Sequence, residues 1–257
     1  MNRPPFPEVI DSSIVACVRS CGRKAELEIL LSWKPKTPSV HLHAGAAFAK
    51  GLEVGREAFY IDGKSEGDSA ALGLKALFDA YGDFECPADS AKSLERMCGA
   101  YEYYFDQYPM STDRAVPITL PSGKRGIEFS FAEPIDILHP VTGNPLIYCG
   151  RMDMIANYAG GIYGEDDKTT SQLGATWSKQ WDLRSQFTGY TWGAAKAGFP
   201  LNGFLVRGVS ILKTKYDTQQ AITYRPQWQL DRWYEQLLRD VKHFIQQWES
   251  GCYDYNL

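Results

Sequence analysis

Apolar residues recur at helical spacing over residues 10–33, where Asp11, Ser12 and Ser13 offer N-cap side chains ahead of the periodic stretch. A second helix, rich in small residues, is expected over 44–60, followed by a Gly, Ser and Asp loop at 61–70. Two more helices are expected near 70–81 and 88–107, the latter stopping ahead of Pro109. The period then falls to two. Segments 115–120, 126–137 and 146–157 alternate or are rich in β-branched and aromatic residues, with Pro-Ser-Gly-Lys and His-Pro-Val-Thr-Gly-Asn-Pro turn chemistry between them. Tyr158-Ala159-Gly160-Gly161 reads as a hairpin connection into a further strand that carries Glu165 to Lys168. Residues 180–197 return to helix, 203–213 to strand and 220–225 to a short strand. Pro226 then stands at a helix N1 position, and Leu230, Trp233, Leu237, Val241, Phe244 and Trp248 mark an amphipathic helix over about 226–249.

That order makes an α/β fold. It has a central mixed sheet from about 115–168 and 203–213, flanked by the 44–60 and 180–197 helices, with a helical insertion at 61–110. No repeat, low-complexity tract or linker interrupts residues 1–257, which are read as one domain. A chain of this length buries a sizeable core without staples. Its 44% hydrophobic and 23% charged content excludes disorder, collagen and coiled coil. No apolar run approaches the ~18 residues a membrane span needs, so no membrane partner is expected. The opening MNRPPFPEVIDSS lacks an apolar signal region, which points to a cytoplasmic protein.

Charge excludes one role. The net charge of −4 has the wrong sign for a protein that coats nucleic acid, but leaves room for an enzyme gripping it in one groove. Cys17, Cys21, Cys86, Cys98, Cys149 and Cys252 form no Cys-x-x-Cys pair, and none has a histidine at zinc-finger spacing. They read as ordinary reduced thiols.

The chemistry concentrates in GRMDMIANYAGGIYGEDDKTTSQ, residues 150–172. Asp153 lies within one expected strand, and Asp166 and Lys168 lie 13 and 15 residues later on the next. Alternation puts Asp166 and Lys168 on one face and Asp167 on the other. If the two strands pair through the Gly160-Gly161 turn, Asp153 approaches Asp166, and two carboxylates converge with one ammonium. Such a pair suits a hard divalent cation, Mg²⁺ or Mn²⁺, which keeps waters and accepts phosphate oxygens. On spacing alone, a solvated charged hairpin fits equally.

Asp, then a hairpin, then Asp-x-Lys-Thr resembles the PD-(D/E)XK nuclease superfamily, and the GR-x-D … D-x-K-T form is most similar to its RecB-type branch. That branch carries Gln-x-x-x-Tyr on the following helix, and Gln186 and Tyr190 stand in that place and order. Further matches are Ser12-Ser13-Ile14 with Cys21-Gly22-Arg23-Lys24, Gly45 with Glu53, and Glu128 in GIEFSFAEP. The resemblance therefore spans about residues 11–214. It implies a restriction-endonuclease-like core and a Mg²⁺-dependent deoxyribonuclease, an exonuclease of phage or of DNA recombination and repair. The implied location is a bacterial cell or a phage-infected host. Asp153 and Asp166 would hold the metal, with Glu53 and Glu128 as further ligands. Lys168 would assist the attacking water, and Gln186 and Tyr190 would meet the substrate. The implied partners are DNA and a single-strand-annealing or helicase protein, with self-association as homo-oligomer.

The sequence also departs from that pattern. Ala49 stands where many members carry a metal-shell histidine, and His43 is out of register as a replacement. Only Cys252 lies downstream of the nuclease motifs, so the four thiolates of an iron–sulfur cluster are lacking and no cluster is expected. No Gly-x-x-x-x-Gly-Lys-Ser/Thr phosphate loop is present, so no helicase motor is fused to the chain. The missing histidine leaves a second reading open: a catalytically weak nuclease-fold protein that binds DNA or protein.

Overall fold

The computed structural model describes residues 3–255. The chain opens with a short strand β1 (Val9–Ile10) and helices α1 (Ser12–Ser20) and α2 (Gly22–Ala25), the latter running on as a π-helical turn over Glu26–Leu30. Asp11 caps α1, its carboxylate accepting from the Ser13 and Ile14 amides at 2.9 and 2.8 Å. The single helix expected over 10–33 is broken at Cys21, whose backbone is extended at φ −172°, ψ 123°. The break brings residue 22 hard against the C-terminal helix: a Cβ at Gly22 would lie 2.4 Å from Gln247 Oε1.

Helices α3 (Val40–Tyr60), α4 (Glu66–Tyr81) and α5 (Leu94–Gln107) follow. Ser65 and Ser93, accepting from the Asp68 and Arg96 amides, set where α4 and α5 begin. The sheet is built from β2 (Val116–Pro117), β3 (Ile127–Leu138), β4 (Pro145–Tyr158), β5 (Gly161–Thr170), β6 (Gly203–Ile211) and β7 (Tyr216–Thr223), joined by β1. Between β5 and β6 lie α6 (Ala175–Lys179) and α7 (Ser185–Lys196), and α8 (Gln227–Ser250) closes the chain. The helix expected over 180–197 therefore starts only at Ser185, after a short break behind α6.

The seven strands form one mixed sheet in the order β1-β4-β5-β6-β7, with β3 and β2 along the other edge of β4. β4 and β5 pair antiparallel through a two-residue turn in which Ala159 and Gly160 both take positive φ, 48° and 82°. β5 and β6 run parallel, so the chain crosses over between them, and α6 and α7 are that crossover.

Helices cover both faces. On one, α1, α7 and α8 enclose a core of Phe131, Tyr148, Met152, Phe187, Phe204 and Phe244. On the other, α3, α4 and α5 pack around Phe48, Leu77, Tyr101 and Tyr104, with Val209 and Ile211 from β6. All nine residues of β6 are buried. Helix α7 lies directly on the sheet, because glycine permits it: a Cβ at Gly193 would sit 2.1 Å from the Phe131 ring. Among the described residues, no helix is long and apolar enough to cross a membrane.

Candidate active site

The strand register creates a notch. β3 occupies one edge of β4 from Ile147 to Met154. On the opposite edge, β1 pairs only with Ile147 and Tyr148, while β5 pairs from Tyr158 back to Met154. The stretch from Cys149 to Asp153 is thus unpaired on that side, and Asp153 sits where β4 and β5 part. Its carboxylate takes the place of the next ladder carbonyl, accepting the Asp167 amide at 2.7 Å. Asp166, one step beyond the last paired position, is 3% exposed and ion-pairs with the Lys168 ammonium. A third of the Lys168 side chain remains open to solvent.

Electrostatics follows from this crowding. Burial, then the Asp166 and Asp167 charges, push the Asp153 carboxyl well above the usual carboxylate range. Asp166 is raised too, burial outweighing the opposing pull of Lys168 and the smaller one of Arg184. Burial works against the Lys168 charge, but Asp166 and Asp153 outweigh it and raise its pKa. Two crowded carboxylates with one ammonium leave a surplus of negative charge carried by hard oxygen donors. That donor set fits a divalent cation of the Mg²⁺ type.

The further expected ligands each have a cationic partner. Glu53 pairs with Lys50 at 2.9 Å, and Glu128 pairs with Arg151 at 2.9 Å. The two glutamates sense each other, since Glu53 adds to the burial that raises Glu128. Glu128 lines a cavity of about 780 Å³ that opens between the end of α3 and the 120–130 segment. Among the described residues, no three His, Cys, Asp or Glu side chains converge on one point. A cation at Asp153 and Asp166 would take the rest of its shell from water or substrate oxygens. His43 does not stand in for the missing histidine: it stacks on Phe84 at 4.1 Å, and its Nε2 bonds the Tyr81 carbonyl at 2.8 Å.

Gln186 and Tyr190 do form a pair, Gln186 Nε2 donating to the Tyr190 hydroxyl at 3.0 Å. Tyr190, expected to meet the substrate by stacking or by hydrogen bonding, has its ring packed in the core, so only its hydroxyl is left for such a contact. The ring is 7% exposed and held between Phe131, Phe187 and Phe204. Its hydroxyl pairs with Gln186 and feels the charge of the two carboxylates. Burial raises its pKa first, and Asp166 and Asp153 add to the rise.

Behind the strand lies a charge cluster that sequence reasoning missed. Asp167 turns away from the notch, as alternation requires, and meets Arg56 at 2.8 Å and the Tyr104 hydroxyl at 2.6 Å. Glu165 contacts Arg56 at 2.7 Å and Arg207 at 3.4 Å, and Arg207 grips Asp113 through both terminal nitrogens at 2.6 and 2.7 Å. Each guanidinium already has its own aspartate, so Glu165 is the surplus carboxylate. Burial lifts it to about 7 against the pull of Arg207 and Arg56. The sequence held a signal: Arg207 interrupts the otherwise apolar run GFLVRGVSI, and a buried arginine requires a carboxylate partner.

No known protein family matches the sequence, and no curated protein matches it. The fold does have solved counterparts. A candidate exonuclease from Eubacterium rectale superposes over 96% of this chain and 84% of its own, at 14% identity and a TM-score of 0.57. A second solved structure, SSO0001, shares 14% identity over 84% of this chain at a TM-score of 0.33, too remote to add an argument. The first likeness shows a shared α/β fold.

Proposed function

We infer that the protein is a metal-dependent nuclease that hydrolyses DNA phosphodiester bonds, an exonuclease of the RecB type working in phage or recombination and repair DNA processing. The observation that carries this reading is the notch between β4 and β5, with Asp153 locked by the Asp167 amide beside Asp166 and Lys168. A solvated hairpin would leave these groups exposed. Instead Asp166 is buried, and burial, with the neighbouring Asp166 and Asp167 charges, raises the Asp153 pKa. Retaining a costly cluster of like charges is characteristic of functional sites.

The residues divide the work. Asp153 and Asp166 present the carboxylate oxygens that hold the cation. When bound, a divalent cation lowers the pKa of water and offsets charge on the phosphate. Lys168 stays an ammonium, because its pKa is raised, so it donates to a phosphate oxygen or orients the attacking water rather than removing a proton. Tyr190 positions Gln186 through its hydroxyl, leaving the Gln186 carbonyl oxygen to accept from a water or substrate hydroxyl. Behind them, Arg56 fixes Asp167, and the Asp167 amide fixes Asp153.

The test uses end-labelled single- and double-stranded DNA with Mg²⁺ or Mn²⁺, alongside covalently closed circles and an EDTA control. Metal-dependent shortening from an end, with circles spared, is the expected result. Activity that survives EDTA, or that survives Asp166→Ala, refutes the assignment.

A further inference from the structure

Lys92 is a buried ammonium without an acid. Its residue is 5% exposed, and its Nζ has one partner, the Thr169 hydroxyl, at 2.7 Å. Among the described residues no carboxylate forms an ion pair with it, and burial lowers its pKa. The lysine is nevertheless built in with care. Its amide donates to Ser90 Oγ at 3.1 Å, and its carbonyl accepts from the Tyr81 hydroxyl at 2.7 Å. An unpaired buried charge is costly, and two of the three ammonium donors lack acceptors.

The place it occupies explains what would fill that role. Lys92 lines a cavity of about 490 Å³ together with Ser90, Ser171 and a second cation, Lys213. The first residues of α3, Val40 and His41, complete the wall. This helix is 21 residues long and no side chain caps its start, so its leading amides and positive dipole end are free to meet an anion. The one carboxylate in the lining, Asp89, is exposed on the 82–93 loop.

The cavity lies across β5 from the notch. Thr169, which holds the Lys92 ammonium, follows Lys168 directly on β5. Successive strand residues face opposite ways, so the carboxylate pair and the cavity flank the end of β5 from its two sides. We propose that this cavity is a phosphate-binding subsite that takes a second phosphate of the strand whose scissile bond lies at Lys168. The proposal rests on the nuclease reading for the identity of that strand, and on Lys92 for the anion. The phosphate comes either from a strand terminus or from the internal backbone, and both present the same tetrahedral oxygens.

The experiment measures anion binding and DNA handling separately, on the full chain. Thermal unfolding is followed against inorganic phosphate, at matched ionic strength in chloride, for wild type, Lys92→Met and Lys213→Gln. Wild type should gain Tm with phosphate, Lys92→Met should not, and Lys213→Gln should gain less. Lys92→Met keeps the buried apolar stem, and the exposed Lys213 offers a variant that cannot unfold the core. On DNA in Ca²⁺, Lys92→Met should weaken binding about tenfold or more, and its log-affinity against log-salt slope should fall by about one. In Mg²⁺ its KM should rise with kcat nearly unchanged. Oligonucleotides with 5′-phosphate, 3′-phosphate or hydroxyl ends separate the two sources. A Lys92-dependent preference for one phosphorylated end assigns a terminal phosphate, and equal loss on all three assigns an internal one. Wild type that cuts no DNA but still gains Tm through Lys92 would overturn the nuclease reading and keep the anion site. A phosphate response equal in all three proteins, with wild-type KM in Lys92→Met, overturns the subsite.

Discussion

Replacing Asp153 by Asn should make the metal-free protein more stable while ending its activity. The substitution keeps the shape and the acceptor oxygen that holds the Asp167 amide at 2.7 Å. What it removes is one of two facing carboxylate charges in a site where Asp166 is 3% exposed. Side chains opposite one another on neighbouring strands lie about 5 Å apart. At an effective dielectric of ~20, two like charges at that spacing repel by roughly 3 kcal/mol. Lys168 offsets part of this, because it attracts both aspartates. A net gain of about 1–2 kcal/mol is therefore expected for Asp153→Asn in EDTA at neutral pH, which for a chain of this size corresponds to roughly 2–8 °C in Tm.

The sign with pH follows from the same crowding. The Asp153 carboxyl has its folded pKa above its unfolded one, so between those values the native state binds more protons than the unfolded state. Stability of the metal-free wild type should fall as pH rises through that window, and the slope should flatten in Asp153→Asn. A divalent cation held by the two aspartates should reverse the ranking: at about 100 times its Kd it would stabilise wild type by ~2.7 kcal/mol, and the variant should gain far less. The assay is calorimetry of both proteins in EDTA and in Mg²⁺ from pH 5 to 8. Lower stability of Asp153→Asn in EDTA at pH 7.5, or an equal Mg²⁺ response in both proteins, refutes the reasoning.

Other expectations follow from the same geometry. Tyr190→Phe should leave the unfolding free energy within about 1 kcal/mol of wild type and slow cleavage, whereas Tyr190→Ala should cost roughly 3–5 kcal/mol in a denaturant titration, because its ring is core. Glu165→Gln should remove a decline in stability between about pH 5 and 7, since Glu165 titrates near 7 when folded and near 4.5 when unfolded. Arg56→Met should cost about 3–5 kcal/mol by leaving Glu165 and Asp167 buried without their partner. Gly193→Ala should destabilise by about 1–3 kcal/mol, read as a shift in denaturant midpoint, because the new methyl meets the Phe131 ring.

What the sequence could and could not disclose follows from how local each cause is. Strands β3 to β5 were legible because a period of two and turn residues encode them within a dozen positions, and Ala159-Gly160 shows its positive φ directly. The facing of Asp166 and Lys168 against Asp167 needed nothing beyond strand alternation, and the register bears out that facing. The breaks at Cys21 and before Ser185 were not legible, because distant packing sets them. Gly22 presses on Gln247, 225 positions away in the chain, and Arg225, some 40 positions ahead of residue 184, donates to the carbonyls of Trp181 and Arg184. Tyr190 shows the same limit within the site. Its motif position announces a residue at the site, and the hydroxyl does pair with Gln186, yet the ring belongs to the core because Phe131 and Phe204 arrive from β3 and β6. Helix periodicity assigns a face to a whole side chain, whereas a tyrosine at the rim of a core divides its atoms between two environments. The buried cluster of Arg56, Glu165, Asp167 and Arg207 carries this further. Arg207 alone betrays its burial by the apolar run around it; Arg56, Glu165 and Asp167 look like surface charges in their own segments, and only the sheet order, which sets β5 beside β6 beneath α3, turns the four into the support that holds the Asp167 amide under Asp153.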